Sequence, residues 1–406
     1  MLNLLWISFF VVAFTASVVQ FMAGESAIFG SVMKAAFEAA KTAFEVALGL
    51  TGVMCLWLGV MKVGERAGFL DALGRMLAPL FSRLFPEVPR GHPALGAITM
   101  NMAANVFGLD NAATPMGLKA MRELQTLNPS ADTASNAQIL FLVLNASSIT
   151  LLPVTIFTYR AQLGAQDPAD VFIPILMATY CSTLAGFLFV AMAQRLRLDA
   201  VVWAWLMGVS VLVGGLAMHF AALPAEHMTA QSSALSNFLL FGLIVVFLLG
   251  ALFRRINAYE AFIEGAKEGF QTAVNIIPYL VAMLVGIALL RASGALPALV
   301  EGVRGGVAAL GYDTAWVDAV PTMLMKPLSG SGARAMMVET MQSHGADSFA
   351  GRLVCIVQGS TETTFYVLAV YFGAVGIKRV RHAVAGGVVA DLAGFTAAVG
   401  AAYLFF

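Results

Sequence analysis

Polar and ionisable residues cluster at four places inside runs that are otherwise apolar. The first reads Asn101-Met-Ala-Ala-Asn105-Val-Phe-Gly108-Leu-Asp110-Asn111-Ala-Ala-Thr114-Pro115, and the second Lys326-Pro327-Leu-Ser329-Gly330-Ser331-Gly332-Ala-Arg334. The third and fourth, Asn145-Ala-Ser147-Ser148-Ile-Thr150 and Gln358-Gly-Ser360-Thr361-Glu362-Thr363-Thr364, lie within stretches long enough to cross a bilayer. Such groups are costly in hydrocarbon, so by default they mark a solute or ion path. A carboxylate at Glu362 must be protonated, paired with Lys326 or Arg334, or bound to an ion or solute. Lys326 and the Gly/Ser turn after it offer a cation and backbone amides able to form an anion-binding nest. Gly108 and Pro115 bracket a break in helix geometry, and a helix starting near Asp110 or Asn111 presents a positive dipole end and a natural cap. The binding candidates are Asn105, Asp110, Asn111, Asn145, Ser147, Ser148, Lys326, Ser329, Ser331, Gln358, Ser360, Thr361 and Glu362. Ordinary roles compete: Ser and Thr bond the carbonyl four residues back or join helices, Asp110 caps a helix, and Glu362 and Lys326 form a structural ion pair.

Other chemistries find little support. The spacing G-x-x-x-x-G-K-[ST] is absent, which argues against nucleotide hydrolysis. No nucleophile–base constellation stands out, so no enzyme and no cofactor are expected. Cys55, Cys181 and Cys355 lie in apolar runs and form no C-x-x-C pair, and the five histidines lack i,i+4 partners, so no metal site is expected. Asp391 is an isolated acid in the last apolar run, with no role that the sequence assigns.

The elements that must position these residues are membrane helices. Of 406 residues, 60% are apolar and 11% charged, with zero formal net charge; a soluble domain carries about 25% charged residues. The lipid bilayer is therefore the solvent, and nucleic acid is not an expected partner. The sequence predicts an all-α polytopic protein of about nine transmembrane helices, near 3–22, 46–63, 137–160, 170–195, 199–222, 234–253, 273–292, 350–375 and 383–404. The first lacks the basic n-region of a secretory signal and reads as a retained helix. Stretches 95–122 and 315–343 have arms too short to cross and read as broken or re-entrant, whereas 31–45, 66–84 and 258–271 are amphipathic and read as interfacial. Basic loops at Arg195/Arg197, Arg254/Arg255, Lys378/Arg379/Arg381 and 62–94 all fall on one face, expected to be cytoplasmic. This puts the N-terminus inside and the C-terminus outside a bacterial inner membrane.

The two halves resemble each other. Glu38-Ala-Ala-Lys41-Thr-Ala-Phe44-Glu45 aligns with Glu264-Gly-Ala-Lys267-Glu-Gly-Phe270-Gln271, and Asn145–Thr150 with Gln358–Thr363. Counting crossings, the halves run in opposite directions. Inverted repeats with discontinuous helices are a layout of secondary transporters, whose sites lie at the midplane; a duplication that only built a stable bundle is the plainer alternative.

Particular runs resemble known families. Phe85–Pro93 (FPEVPRGHP), Asn101–Met121 and Leu144–Pro153 look like spore maturation protein A. Tyr259–Gly269, Ile276–Val281, Pro327–Gly330, Gln358–Tyr366 and Val370–Gly376 look like spore maturation protein B. The chain resembles a fusion: an A-like half over 1–198 with the first gate repeat, a connecting span and loop over 199–233, and a B-like half over 234–406 with the second. The resemblance implies the nucleoside-recognition or gate domain shared with concentrative nucleoside transporters and ferrous-iron transporters. In these families an arginine often stands at the position of Lys326 and an aspartate at that of Glu362, so charge is kept. The Gly-Ser-Gly-Ala-Arg run departs more, and no run matches the nucleoside transporters residue by residue, so no nucleoside site is carried over.

The leading expectation is a secondary transporter or gated permease for a small polar or anionic solute, with a coupling ion or proton on Glu362 or Asp110 and Lys326 as the anion partner. A non-transporting membrane scaffold for envelope or spore-maturation partners is the alternative. Association into a homo-oligomer is compatible with either.

Overall fold

A computed structural model describes residues 2–108, 110–147 and 150–406, apart from the side chains of Leu2, Leu5, Asp110, Asn111, Ala112, Ala225, Glu226 and Thr229. Helix α1 (Leu2–Met22) precedes α2 (Ile28–Arg66) and α3 (Phe69–Leu84). Helices α4 (Pro93–Val106) and α5 (Asp110–Thr126) form a hairpin, α6 (Asn136–Ser147) and α7 (Val154–Gln162) are the halves of an interrupted span, and α8 (Phe172–Gln194) closes the first repeat. After α9 (Ala200–Ala221) and α10 (Ala225–Phe253), the order recurs as α11 (Ala258–Ala292), α12 (Ala295–Ala309), α13 (Val320–Met325), α14 (Gly330–His344), α15 (Phe349–Ser360), α16 (Thr364–Gly373) and α17 (Ala383–Phe405). No strand occurs among the described residues; Thr133 and Arg379 form an isolated bridge.

Among the described residues, seven segments are long and apolar enough to cross a membrane, one of them α15 and α16 taken together, and shorter apolar helices at Trp6–Met22 and Asn136–Ser147 occupy the two remaining expected places. The chain is thus a multi-pass membrane protein. Local sequence explains the punctuation. Gly68 and Gly294 hold left-handed φ values of 77° and 72° at matching positions after α2 and α11, a conformation that favours glycine. Asn257 and Ser348 cap α11 and α15 by accepting from Glu260 and Gly351 amides at 3.2 and 2.9 Å.

Two expectations need correction. The amphipathic stretches 31–45 and 258–271 are not separate interfacial helices; they continue into the spans that follow as single helices of 39 and 35 residues. Neither junction has a proline or left-handed glycine to end the helix. The second concerns the breaks. Spans 137–160 and 350–375 are themselves interrupted, between Ser147 and Val154 and between Ser360 and Thr364, so each polar run begins in the last turn of one half-helix and leads toward the break before the next. Gly108 does mark the hairpin turn, with φ 66°, but Pro115 lies inside α5 and does not end it.

Equivalent helices pack against each other in opposite directions. Along α2 and α11, the side of Gly59 meets Phe262, whereas a Cβ at Gly269 would lie 2.6 Å from the Met54 carbonyl. Rising numbers on one helix meet falling numbers on the other. Helices α8 and α17 behave alike: Ser182 faces Gly394, Gly186 faces Ala390, and Val190 faces Gly386, all at 3.0–3.3 Å from the added Cβ. An antiparallel contact between equivalent helices is what an inverted repeat requires. The repeats also interlock, because α6 of the first packs on α16 of the second while α7 packs on α15.

The ends of the bundle follow the same symmetry. Arg83 pairs with Asp199 at 2.7 Å, Gly68 abuts the Arg254 guanidinium, and Gln194 reaches His382 at 3.1 Å, so all four basic loops gather at one end. Gly269→Ala places a methyl against the Met54 backbone, which cannot yield as a side chain would. It should lower stability by about 1–3 kcal/mol, read as a fall in thermal midpoint of the detergent-purified protein; an unchanged midpoint contradicts this packing.

Candidate functional site

The four chain interruptions meet. In the first repeat, the Leu151 amide donates to the Val106 carbonyl at 2.9 Å, and Gly108 lies against the Leu152 carbonyl. In the second, the Phe365 amide donates to the Pro327 carbonyl at 3.0 Å, and Gly330 lies against the Thr363 hydroxyl. The broken spans then join each other through the Glu362 amide, which donates to the Ala146 carbonyl at 2.8 Å. Helices α4, α6, α13 and α15 end at this junction, whereas α5, α7, α14 and α16 start there. It therefore presents both the carbonyl ends that suit cations and the amide ends that suit anions.

On the first-repeat side the polar groups are amides. Asn105 donates to Asn145 at 2.9 Å, Asn145 donates to the Phe141 carbonyl at 2.9 Å, and Asn101 donates to the Ala113 carbonyl at 2.7 Å. Tyr371, from α16, reaches both Asn145 and Asn101 at 3.4 Å. Asn101 and Tyr371 were not among the expected site residues; the i,i+4 spacing of Asn101 and Asn105 was the available signal. Ser147 is buried and donates to the Leu144 carbonyl at 3.2 Å, the ordinary local bond for a serine near a helix end. Ser148 and the side chains of Asp110 and Asn111 lie outside the described residues, although α5 does begin at Asp110 as expected.

On the second-repeat side the groups are charged. Lys326 is 3% exposed at the end of α13, one turn after Thr322, where α4 carries Asn101 and Asn105. The Gly/Ser run is a capped helix start: Ser329 accepts from the Gly332 amide at 3.1 Å and lies 3.2 Å from Ser331, and neither Gly330 nor Gly332 has positive φ. The expected nest is thus a helix N-terminus with one amide already taken. Gln358 is partly buried, Ser360 and Thr361 are buried, and Glu362 is partly exposed. Ser360 donates to the Val357 carbonyl at 2.9 Å. Among the described residues Glu362 makes no ion pair with Lys326 or Arg334; Arg334 instead stands beside Tyr159 of α7. Asp391, on α17, lies within electrostatic reach of Lys326 and Glu362 and beside Thr361 and Thr364. The structure brings into the site an acid that the sequence left isolated.

At the end of the bundle opposite the basic loops, a buried ionic network closes the loops. Arg160, fully buried, pairs with Asp170 at 2.7 Å and Asp347 at 3.1 Å and donates to the Ala346 carbonyl at 2.7 Å. Arg352 reaches Asp170 at 2.8 Å and stacks over the Phe406 ring at 4.6 Å. Burial pushes the Asp170 carboxyl above its usual range, while Arg160 and Arg352 pull it back down. At the basic end the equivalent loops are joined by backbone: the Ala134 amide donates to the Arg379 carbonyl at 3.0 Å, and the Lys378 and Arg379 amides donate to Asp132 at 2.8 and 2.9 Å.

An inverted pair of hairpin-plus-broken-span repeats defines a gate-type membrane protein. The chain belongs to the family described as "Gate: Nucleoside recognition", whose family model matches residues 47–163 and 273–378, more than half of the chain. Spore maturation protein A of Bacillus subtilis is 38% identical over 188 residues, covering 46% of this chain and 93% of that protein. Spore maturation protein B of the same organism is 42% identical over 167 residues, covering 40% of this chain and 92% of that protein. The two matches fall on different parts of the chain, as in a fusion. No solved structure matches it.

Arg160→Met leaves the buried Asp170 with half its countercharge and should cost about 3 kcal/mol, the low end for a broken buried pair. Adding Asp170→Asn should restore part of the loss in thermal unfolding; a double variant no more stable than the single one would remove this network from the account.

Proposed function

We propose that the chain is a secondary transporter or gated permease for a small polar or anionic solute, held at the junction of the two interrupted spans. What carries the reading is the meeting of four half-helix starts and four half-helix ends beside Lys326, Glu362 and the Asn105–Asn145 pair. Hydrocarbon tolerates such backbone only where it is buried in protein or faces a wet cavity. In this reading Lys326 and the starts of α14 and α16 attract negative charge, Gln358, Ser360 and Thr361 supply neutral polar groups, and Glu362 or Asp110 holds the coupling ion. The four basic loops face the cytoplasm of a bacterial inner membrane, which puts the N-terminus inside and the C-terminus outside. Alternating access then consists of opening the ionic end while the backbone-paired end stays shut, and the reverse.

One observation favours a second reading, a scaffold that moves nothing. The Asn101–Asn105–Asn145–Tyr371 cluster is bonded to itself, as a dry seam would be. Ser147→Cys and Ser360→Cys separate the two readings: both positions are buried here, so labelling by a membrane-impermeant maleimide requires the junction to open.

Proteoliposomes tested with a panel of small anions, nucleosides and neutral polar solutes should show uptake of at least one class. Lys326→Ala and Glu362→Gln, correctly inserted, should lower it roughly tenfold or more, as expected for a charge-assisted contact of about 1.5–3 kcal/mol. Wild-type rates in both variants for every transported solute would overturn the assignment.

A further inference from the structure

Asp391 is 2% exposed, and neither carboxylate oxygen has a hydrogen-bond partner among the described residues. The neighbouring Thr361 and Thr364 hydroxyls stand close without hydrogen-bond geometry, and the Thr364 oxygen is likewise unpartnered. Small residues produce this approach. Gly394 lets Thr361 come within 2.7 Å of where a Cβ would stand, and Gly387 does the same for Thr364, so Asp391 is pressed between them onto the 361–364 crossing.

The surroundings leave few sources of charge. Among the described residues, Lys326 and Glu362 are the charged groups within reach. Helix α8 contributes Cys181 and Tyr180, the latter bonded to Ser210; α15 contributes Cys355, against Met341. Helix α16 contributes the exposed Tyr366 and Tyr371, the latter engaged with Asn145. Helix α6 has no titratable group, nor does α10 between Ala230 and Phe253. Among the described residues, two carboxylates thus lie within the field of Lys326, and one added proton brings these three groups to neutrality. An ionised carboxylate without partners is expensive at this depth, whereas the neutral acid has an O–H that Thr364 can accept.

We propose that Asp391 is the proton-coupling carboxylate of this site. The inference rests on the transport reading and deepens it, naming the coupling ion as a proton and placing it on α17 rather than on Glu362 or Asp110. A proton from one aqueous face joins an Asp391 oxygen as solute binds and returns to water on the other face as solute leaves; no covalent bond to the solute forms or breaks. Ionised Asp391 attracts Lys326 on the hairpin and repels Glu362 on the broken span, and its protonation removes both forces together. Binding of the proton thereby biases how α17 sits against the moving elements.

The test is pH-titrated infrared difference spectroscopy of the full chain in lipid nanodiscs, with no solute added. A protonated-carboxyl C=O band should grow as pH falls, shift in D2O, vanish in Asp391→Asn and persist at a displaced frequency in Asp391→Glu. Its midpoint should move to lower pH in Glu362→Gln and to higher pH in Lys326→Gln, each by about one pH unit. A band that survives in Asp391→Asn, or a thermal stabilisation of the wild type that depends on sodium and not on pH, overturns the proposal. If the band behaves as expected while neither the wild type nor Asp391→Asn moves solute or protons across proteoliposomes, the proton seat stands and the transport reading is what fails.

Discussion

Interrupting a helix inside hydrocarbon frees amides and carbonyls that lipid cannot satisfy, at several kcal/mol for each group left alone. The rest of this structure is arranged around that constraint. The three bonds Leu151 to Val106, Phe365 to Pro327 and Glu362 to Ala146 take groups freed at the interruptions and pair them with carbonyls of the hairpins and of the opposite broken span. The hairpins therefore lie where they do because the broken spans need acceptors, and Pro327, which has no amide of its own, gives its carbonyl. A broken span cannot slide away from its hairpin without stranding these groups. In the transport reading proposed above, a rearrangement of the junction would carry hairpin and broken span together against the paired helices α2 and α11.

That scaffold is stiff for a simple reason. Glycines at 265 and 269 bring α11 against the backbone of α2, Gly59 makes room for the Phe262 ring, and lysine and arginine at the end of α2 meet Glu264 and Glu268 of α11. Those ion pairs are half exposed and add little stability; the backbone contact does the holding. The two ends of the interrupted spans differ more. Symmetry-related loops are joined by exposed backbone pairing at the basic end and by a desolvated Arg160–Asp170–Arg352 network at the other. A buried network is lost in one step once a partner leaves, whereas paired backbone can fray bond by bond. In the transport reading, the two ends would open by different routes.

The helical class, the inverted repeat and the gathering of basic loops on one face were legible because they rest on composition, periodicity and charge asymmetry, all local sums over many residues. The positions of the interruptions were half legible: Gly108 announced the first hairpin through its left-handed turn, but the polar runs at 145–150 and 358–364 read as decorated helices because Ser and Thr are tolerated within membrane helices. Pro115 misled for the converse reason, since helix α5 absorbs it. The continuity of α2 and α11 through their amphipathic starts was hidden by a change of polarity that involves no change of backbone. Asp391 was visible as an oddity and unreadable as a site residue, because its meaning depends on Gly387 and Gly394 letting the 361–364 crossing, on a separate element, come close to it. Arg160 was invisible for a similar reason; its partners are distributed over two loops nearly two hundred residues apart.

The duplicated halves have diverged in the kind of polar group that the described residues bring to the junction. On the first side, each described amide finds another amide, a carbonyl or Tyr371, and such a cluster has no charge state to change. On the second side the junction carries Lys326 and Glu362, with Asp391 within electrostatic reach of both. Under the proton-coupled reading proposed above, the neutral, mutually bonded amides are the fixed side of the junction and Lys326, Glu362 and Asp391 are the side whose charge one proton changes. A scaffold of two similar halves thus surrounds an asymmetric set of described polar groups.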